Sequence, residues 1–348
     1  MKLRKLHIEN YKMFKDFDID FVDKDNKPLP IIVLAGVNGS GKTTLLEYID
    51  NSNLEDKSFI NIEINRKTEP LDDFIKDDFG EYIKENIVLS KLNNLNEYKQ
   101  NIVYFQVAKD KIEDIKETIR QKYIDRAFEI DKPSEALKEL QNYIKNIFNG
   151  LDLTFNLSSI NYNKEEVLFK DNNGVEFDID KLSTGEQTLL SKVLYLYFKD
   201  YKDKVILIDE PELSLHPSWQ NKVLKIYENF AIKNNCQIII ATHSPHIIGS
   251  AKNEYIRILR KKEDGIIEVI NDLKAHGRDI NSILFDVMGE VAYRPREFDD
   301  KIDRLFYEID ERNLEKAKQL LEDLKKSYGD KDTNVMEATM LIEMFERE

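Results

Sequence analysis

The stretch Ile31-Ile32-Val33-Leu34-Ala35-Gly36-Val37-Asn38-Gly39-Ser40-Gly41-Lys42-Thr43-Thr44 decides how this chain is read. Its first five residues are apolar and largely β-branched, as in a strand buried on both faces. Gly36 to Thr43 match G-x-x-x-x-G-K-[ST], and Thr44-Leu45-Leu46-Glu47-Tyr48-Ile49 follows with helical spacing. A glycine-rich loop between strand and helix turns backbone N–H groups and the positive helix end toward a phosphate. Gly36, Asn38, Gly39, Ser40, Gly41, Lys42, Thr43 and Thr44 are therefore the candidate triphosphate cradle. Lys42 is expected to neutralise β- and γ-oxygens and Thr43 to place a hydroxyl on Mg²⁺, so ATP and Mg²⁺ are the expected ligands.

Two further apolar runs read as buried strands. Val205-Ile206-Leu207-Ile208 delivers Asp209 and Glu210 at its C-terminal end, where open α/β sheets place their ligands. Asp209 suits a Mg²⁺ contact, and Glu210 suits polarising the attacking water. Gln237-Ile238-Ile239-Ile240-Ala241-Thr242 delivers His243, able to donate to a γ-phosphate oxygen. Between these strands and the first loop, Leu182-Ser183-Thr184-Gly185-Glu186-Gln187 opens a helix. Ser183, Gly185 and Glu186 there offer a hydroxyl, backbone N–H groups and a helix N-terminus as a second anion site.

In this order the motifs resemble those of the ABC-type ATPases of the SMC, Rad50 and RecF kind. Residues 182–187 are similar to that group's signature motif, with Thr184 where glycine is usual. Asp209-Glu210-Pro211-Glu212 resembles the extended Walker B, Leu213-Ser214-Leu215-His216-Pro217 the D-loop, and Thr242-His243-Ser244 the switch histidine. Residues 6–14 resemble the opening strand. Val103-Tyr104-Phe105-Gln106 lies in the interval of the Q-loop, which makes Gln106 a candidate metal contact. The resemblance covers residues 1–50 and 180–262 and implies an α/β fold: a P-loop NTPase of ABC type with a mixed β-sheet core. It also implies that the signature of one subunit closes on the γ-phosphate held by another. The expected assembly is an ATP-closed, head-to-tail homodimer, or a higher oligomer built from it.

Composition fits a cytoplasmic protein. The 348 residues are 41% hydrophobic and 34% charged, no stretch approaches the roughly 20 apolar residues of a membrane helix, and no apolar signal region opens the chain. The single cysteine, Cys236, excludes an internal disulfide and reads as a small buried hydrophobe. A net charge of −14 disfavours coating nucleic acid by charge. Arg257-Ile258-Leu259-Arg260-Lys261-Lys262 reads as a strand edge, and DNA contact is confined to a local basic patch of this kind.

The chain divides, on this reading, into an N-terminal ATPase lobe (1–70), a mainly helical insertion (71–150), a second ATPase lobe (151–275) and a C-terminal helical unit (276–348). Residues 71–96 and 108–148 read as mostly helical, with a break at Lys132-Pro133 and Ser134 as the N-cap of the helix through Phe148. The insertion is too short for the coiled coil of SMC or Rad50 proteins. Residues 151–179 read as a hairpin returning to the signature. In the tail, Ile302, Leu305, Phe306 and Ile309, then Leu314, Ala317, Leu320, Leu321 and Leu324, then Val335, Ala338, Ile342 and Phe345 each mark one helix face.

Residues 277–284, Arg294-Pro295 and the helices from Ile302 to Leu324 also resemble the C-terminal region of the PtuA-type ATPases of Septu and of certain retrons. That resemblance implies an anti-phage role beside a separately encoded HNH nuclease, docked on the C-terminal helices. No His-Asn-His cluster of its own stands out in the chain. A RecF- or SMC-like DNA-repair ATPase shares the motifs but calls for a continuous basic surface, which the acidic balance opposes.

Overall fold

The computed structural model describes residues 1–50, 60–65, 87–88, 100–105, 112–151, 153, 155–161, 166–199, 201–271, 274–278, 280–287 and 296–346. The chain separates into two units, Met1–Gly289 and Glu290–Glu348.

In chain order the first unit carries β1 (Lys2–Tyr11), β2 (Phe14–Asp20), β3 (Ile31–Ala35), α1 (Lys42–Asp50), β4 (Ile60–Asn65), β5 (Ile87–Val88) and β6 (Ile102–Phe105). Then come α2 (Ile112–Ile130), α3 (Pro133–Ile147), β7 (Phe155–Asn161), β8 (Glu166–Asp171), β9 (Glu176–Asp178) and α4 (Thr184–Phe198). It ends with β10 (Val205–Asp209), α5 (Pro217–Lys233), β11 (Gln237–Thr242), α6 (Pro245–Ser250), β12 (Ile256–Lys261), β13 (Ile267–Ile270) and α7 (Ile280–Asp286).

The central sheet has the order β13-β12-β3-β11-β10-β6. Neighbours from β12 to β6 pair in parallel, and β13 adds an antiparallel edge. β3 and β11 are buried at every residue, so their unbroken apolar runs reflect cover on both faces. A second sheet, β2-β1-β4-β5, is antiparallel, and β7-β8-β9 form a third. Among the described residues no helix is long and apolar enough to cross a membrane.

Several local expectations are corrected. Ile87–Val88, inside a segment expected to be helical, is a strand paired with β4; the rest of 71–96 lies outside the described residues. β6 is a strand of the central sheet, so core structure also lies within the 71–150 interval. The helix through Ile147 is capped by Lys132, not Ser134, because Pro133 takes the first helical position, where its fixed φ and missing N–H are tolerated. α7, expected with the tail, belongs to the first unit. A Cβ on Gly249 would lie 2.8 Å from Ile283 Cδ1, so the absence of a side chain lets α7 close on α6. Cys236 is buried beside β11, as expected.

One ion cluster fastens α5 to the start of β12. Buried Glu228 accepts from Lys225 at 2.6 Å, from Lys252 at 2.7 Å and from the Tyr255 hydroxyl at 2.7 Å. Burial pushes its carboxyl up, but these donors outweigh burial and hold it at about 2. A depressed carboxyl contributes its full stability above the ordinary carboxylate range and loses it as pH falls toward 2. Glu228→Gln is expected to cost roughly 3 kcal/mol at neutral pH, the order set by holding a carboxyl at about 2 instead of its ordinary value. Urea midpoints should show that gap at pH 7 and a smaller one at pH 3; an equal gap at both would place the stabilisation elsewhere.

The second unit holds α8 (Arg296–Asp310), α9 (Leu314–Tyr328) and α10 (Thr333–Phe345). Ile302, Leu305 and Ile309, then Ala317, Leu321 and Leu324, then Val335, Ala338 and Ile342 meet in its core, with Phe306, Leu320 and Phe345 at the margin.

Candidate nucleotide site

Register assembles the site. Leu34 pairs with Ala241 and Ala241 with Asp209; one residue on, Ala35 pairs with Thr242. In a parallel sheet all such strands end at one edge, so the phosphate loop, Glu210 and His243 leave the core together.

The loop needs its glycines for space. A Cβ on Gly36 would lie 2.4 Å from Leu259 O and 2.6 Å from Ser40 Oγ. Gly41 has φ +88°, and a Cβ there would meet Phe14 Cζ at 3.0 Å and Met13 Sδ at 3.1 Å, so the β1–β2 hairpin backs the loop. Lys42 is buried and donates from Nζ to Gly36 O at 2.8 Å and Val37 O at 2.9 Å. Burial lowers its affinity for a proton, and the charges of Glu210, Asp209 and Glu212 oppose that shift.

Asp209 ends β10 facing this lysine. Burial raises its carboxyl above the usual range, with Glu210 adding to the rise, while a hydrogen bond from the Thr43 side chain, one from Tyr104 and the Lys42 charge hold it down. The Tyr104 hydroxyl stands 3.5 Å from Oδ2; Oδ1 is buried without a hydrogen-bond partner. A buried carboxylate oxygen left unpartnered is costly, and a hard cation with oxygen ligands would satisfy it. Asp209 and Thr43 therefore fit Mg²⁺. Among the described residues no three His, Cys, Asp or Glu side chains cluster as a metal cage. Ser40 Oγ, in the loop, is likewise buried without a partner. Gln106 lies outside the described residues.

Glu210 has φ +46°, a left-handed conformation rare for a non-glycine residue, fixed by its N–H donating to Ala241 O at 2.8 Å. That turn carries its side chain over β11, where Oε1 stands 3.1 Å from His243 Nδ1. A carboxylate only accepts, so in this contact Nδ1 is the donor, and a ring that also donates from Nε2 to a phosphate carries a proton on both nitrogens. Glu212 accepts from the His243 backbone N–H at 3.0 Å.

α4 begins with a capping box. Glu186 N–H donates to Ser183 Oγ at 3.3 Å, and Glu186 Oε2 accepts from Ser183 N–H at 2.8 Å and from its hydroxyl at 2.7 Å. Gly185 packs on the segment after Glu210, since a Cβ there would lie 2.7 Å from Ser214 O. Lys192 donates to Pro211 O at 3.1 Å from the same helix. Tyr104, Lys192 and the Met13–Phe14 backing escaped sequence reasoning because each reaches the site through non-local pairing. Arg257 is withdrawn from the basic patch: it is buried, with its guanidinium on Asp20 at 2.7 Å and on the Val22 and Glu254 carbonyls.

This combination on a parallel sheet is that of a P-loop ATPase of ABC type. The chain belongs to the family described as "AAA domain, putative AbiEii toxin, Type IV TA system", whose profile matches residues 63–249. It is 30% identical to the Septu protein PtuA of Bacillus thuringiensis over 186 residues, which are 49% of this chain and 46% of that protein. It is 29% identical to the retron Ec83 probable ATPase of Escherichia coli over 195 residues, 51% of this chain and 34% of that one. The chain thus spans less than half the length of these curated relatives. An SMC head domain from Thermotoga maritima aligns with 78% of this chain and 98% of its own at a TM-score of 0.46 and 14% identity.

Proposed function

We propose that this chain binds and hydrolyses ATP with Mg²⁺ as the ATPase component of a bacterial anti-phage defence system, beside a separately encoded HNH-type nuclease. The buried, unpartnered Asp209 oxygen next to Thr43 and Lys42 carries the hydrolytic reading. The relatives named Septu PtuA and retron ATPase support the defence role.

Thr43 and Asp209 would hold Mg²⁺, which when bound supplies positive charge to the phosphate oxygens. Lys42 and the loop N–H groups bind the triphosphate. Glu210 orients and polarises the attacking water, and His243, restrained by Glu210 and Glu212, donates to the γ-phosphate.

Ser183 and Gly185 form the second anion site, which closes on the γ-phosphate held by another copy, so the working unit is a head-to-tail homodimer or a higher oligomer built from it. Ser183→Arg is expected to block closure while leaving ATP affinity of the single chain nearly unchanged. Steady-state hydrolysis at the wild-type rate by this variant would end the shared-site reading.

The C-terminal helices dock the nuclease. Met336, Met340 and Met344 recur every four residues along α10 and are 45%, 67% and 48% exposed, an adaptable apolar row of the kind that binding surfaces use. Met340→Asp should abolish co-purification of the co-expressed nuclease without lowering the thermal midpoint or ATP binding. Full co-purification would move the docking surface off α10.

A further inference from the structure

We infer that Glu212 is a positioning residue of the hydrolysis site: it fixes His243 against Glu210 and ties that histidine to the segment between Leu213 and Pro217. The inference rests on the ATPase reading above and assigns an acid which that reading leaves in a supporting place. Glu212 is 5% exposed. Its Oε1 accepts from the Thr242 hydroxyl at 2.6 Å and from the His243 backbone N–H at 3.0 Å, and lies 3.6 Å from His243 Nδ1. Its Oε2 is buried with no hydrogen-bond partner. A half-satisfied buried carboxyl is a poor packing element, since an apolar side chain of similar volume would fill the place without desolvating a polar group. What it does provide is two directed acceptor contacts at the turn that carries the histidine.

The same residue closes a ring of hydrogen bonds. The Thr242 hydroxyl that donates to Glu212 accepts from Ser244 N–H at 2.9 Å. The Ser244 hydroxyl donates to Gln220 Oε1 at 2.7 Å, and Gln220 Nε2 donates to Leu215 O at 2.9 Å. Leu215 N–H returns to Glu212 O at 2.9 Å. The ring thus joins the turn after β11 to the segment entering α5. That segment has little slack: Pro211 fixes one φ, and Glu210 and Ser214 hold left-handed values of +46° and +65°. Gly185 packs on Ser214 O and Lys192 donates to Pro211 O, so the helix bearing the second anion site rests on the same piece of chain. A shift of that segment therefore moves Glu212, and Glu212 moves His243.

The test compares Glu212→Ala, Glu212→Gln, His243→Ala and the Glu212→Ala/His243→Ala double variant in the full chain, by single-turnover hydrolysis and ATP titration. Glu212→Ala should slow hydrolysis by about 10- to 100-fold, the scale of an ångström-sized misplacement, with ATP affinity within about threefold of wild type. Glu212→Gln keeps a carbonyl for both donors and should recover most of the rate. The double variant should be no slower than His243→Ala, because the acid acts through the histidine. Additive losses in the double variant, or a Gln variant as slow as Ala, overturn the inference. Where Glu212→Ala fails to fold, Thr242→Val removes the hydroxyl link and should show the same non-additivity with His243→Ala; additivity there overturns it equally. Failure of the ATPase reading shows separately, as a wild-type protein no faster than Glu210→Gln, and takes the inference with it.

Discussion

Glu210→Gln is expected to slow ATP hydrolysis by roughly 10² to 10⁴, the range for losing a general base, while ATP binding persists. The substitution keeps the volume and the left-handed turn at φ +46°, and Gln can still accept from His243 Nδ1 through its carbonyl. It removes the negative charge that polarises water, in a reaction where catalysis is mostly positioning and electrostatics. Removing that charge also relieves the carboxyl of Asp209, which Glu210 pushes upward, so Mg²⁺ binding should not weaken. If the closed dimer opens only when the γ-phosphate is lost, it should accumulate in this variant. Single-turnover hydrolysis read beside light scattering in ATP and Mg²⁺ checks both halves. Near-normal turnover would place the water-polarising group elsewhere, and slow turnover without dimer accumulation would separate the chemistry from the closure.

The phosphate loop, acidic pair and histidine were legible because each is announced within a few residues by an apolar strand and its terminal polar group. Parallel pairing of those strands then brings them to one edge without further instruction. Residues whose role depends on register across the sheet were not legible. Tyr104 reaches Asp209 only because β6 pairs with β10, and nothing in its own neighbourhood marks it. Arg257 reads locally as one of several basic residues on a strand edge, yet the return of β2 beside it turns it into a buried anchor on Asp20. The Lys132 cap and the Ile87–Val88 strand show the opposite limit: a proline at the first helical position outranks a good capping serine, and a short apolar run takes its conformation from its partner strand. For Glu212 the signal was present, as the fourth residue of Asp209-Glu210-Pro211-Glu212, but its partners Thr242 and His243 lie thirty residues on and are met only through the fold.

Lys42→Ala is expected to remove measurable ATP binding and to leave the fold intact. The amine is buried at the mouth of the loop, held by the Gly36 and Val37 carbonyls, and the nearby charges on Glu210, Asp209 and Glu212 are all negative. Without Lys42 the triphosphate would approach three carboxylates with only loop N–H dipoles and a cation to offset them. A loss of at least about a hundredfold, near 3 kcal/mol, follows from deleting one charge-assisted contact at each of two phosphates. Stability should respond differently. Burial already disfavours the charged amine, so its removal relieves desolvation at the same time as it breaks two hydrogen bonds, and the thermal midpoint of the nucleotide-free chain should move by only a few degrees. Asp209→Asn gives the matching contrast, since it should retain nucleotide binding and lose the dependence on Mg²⁺. Titration calorimetry with and without Mg²⁺, read beside thermal melts, separates the cases. Tight ATP binding by the folded Lys42→Ala variant would mean that the loop beginning at Gly36 is not the triphosphate site.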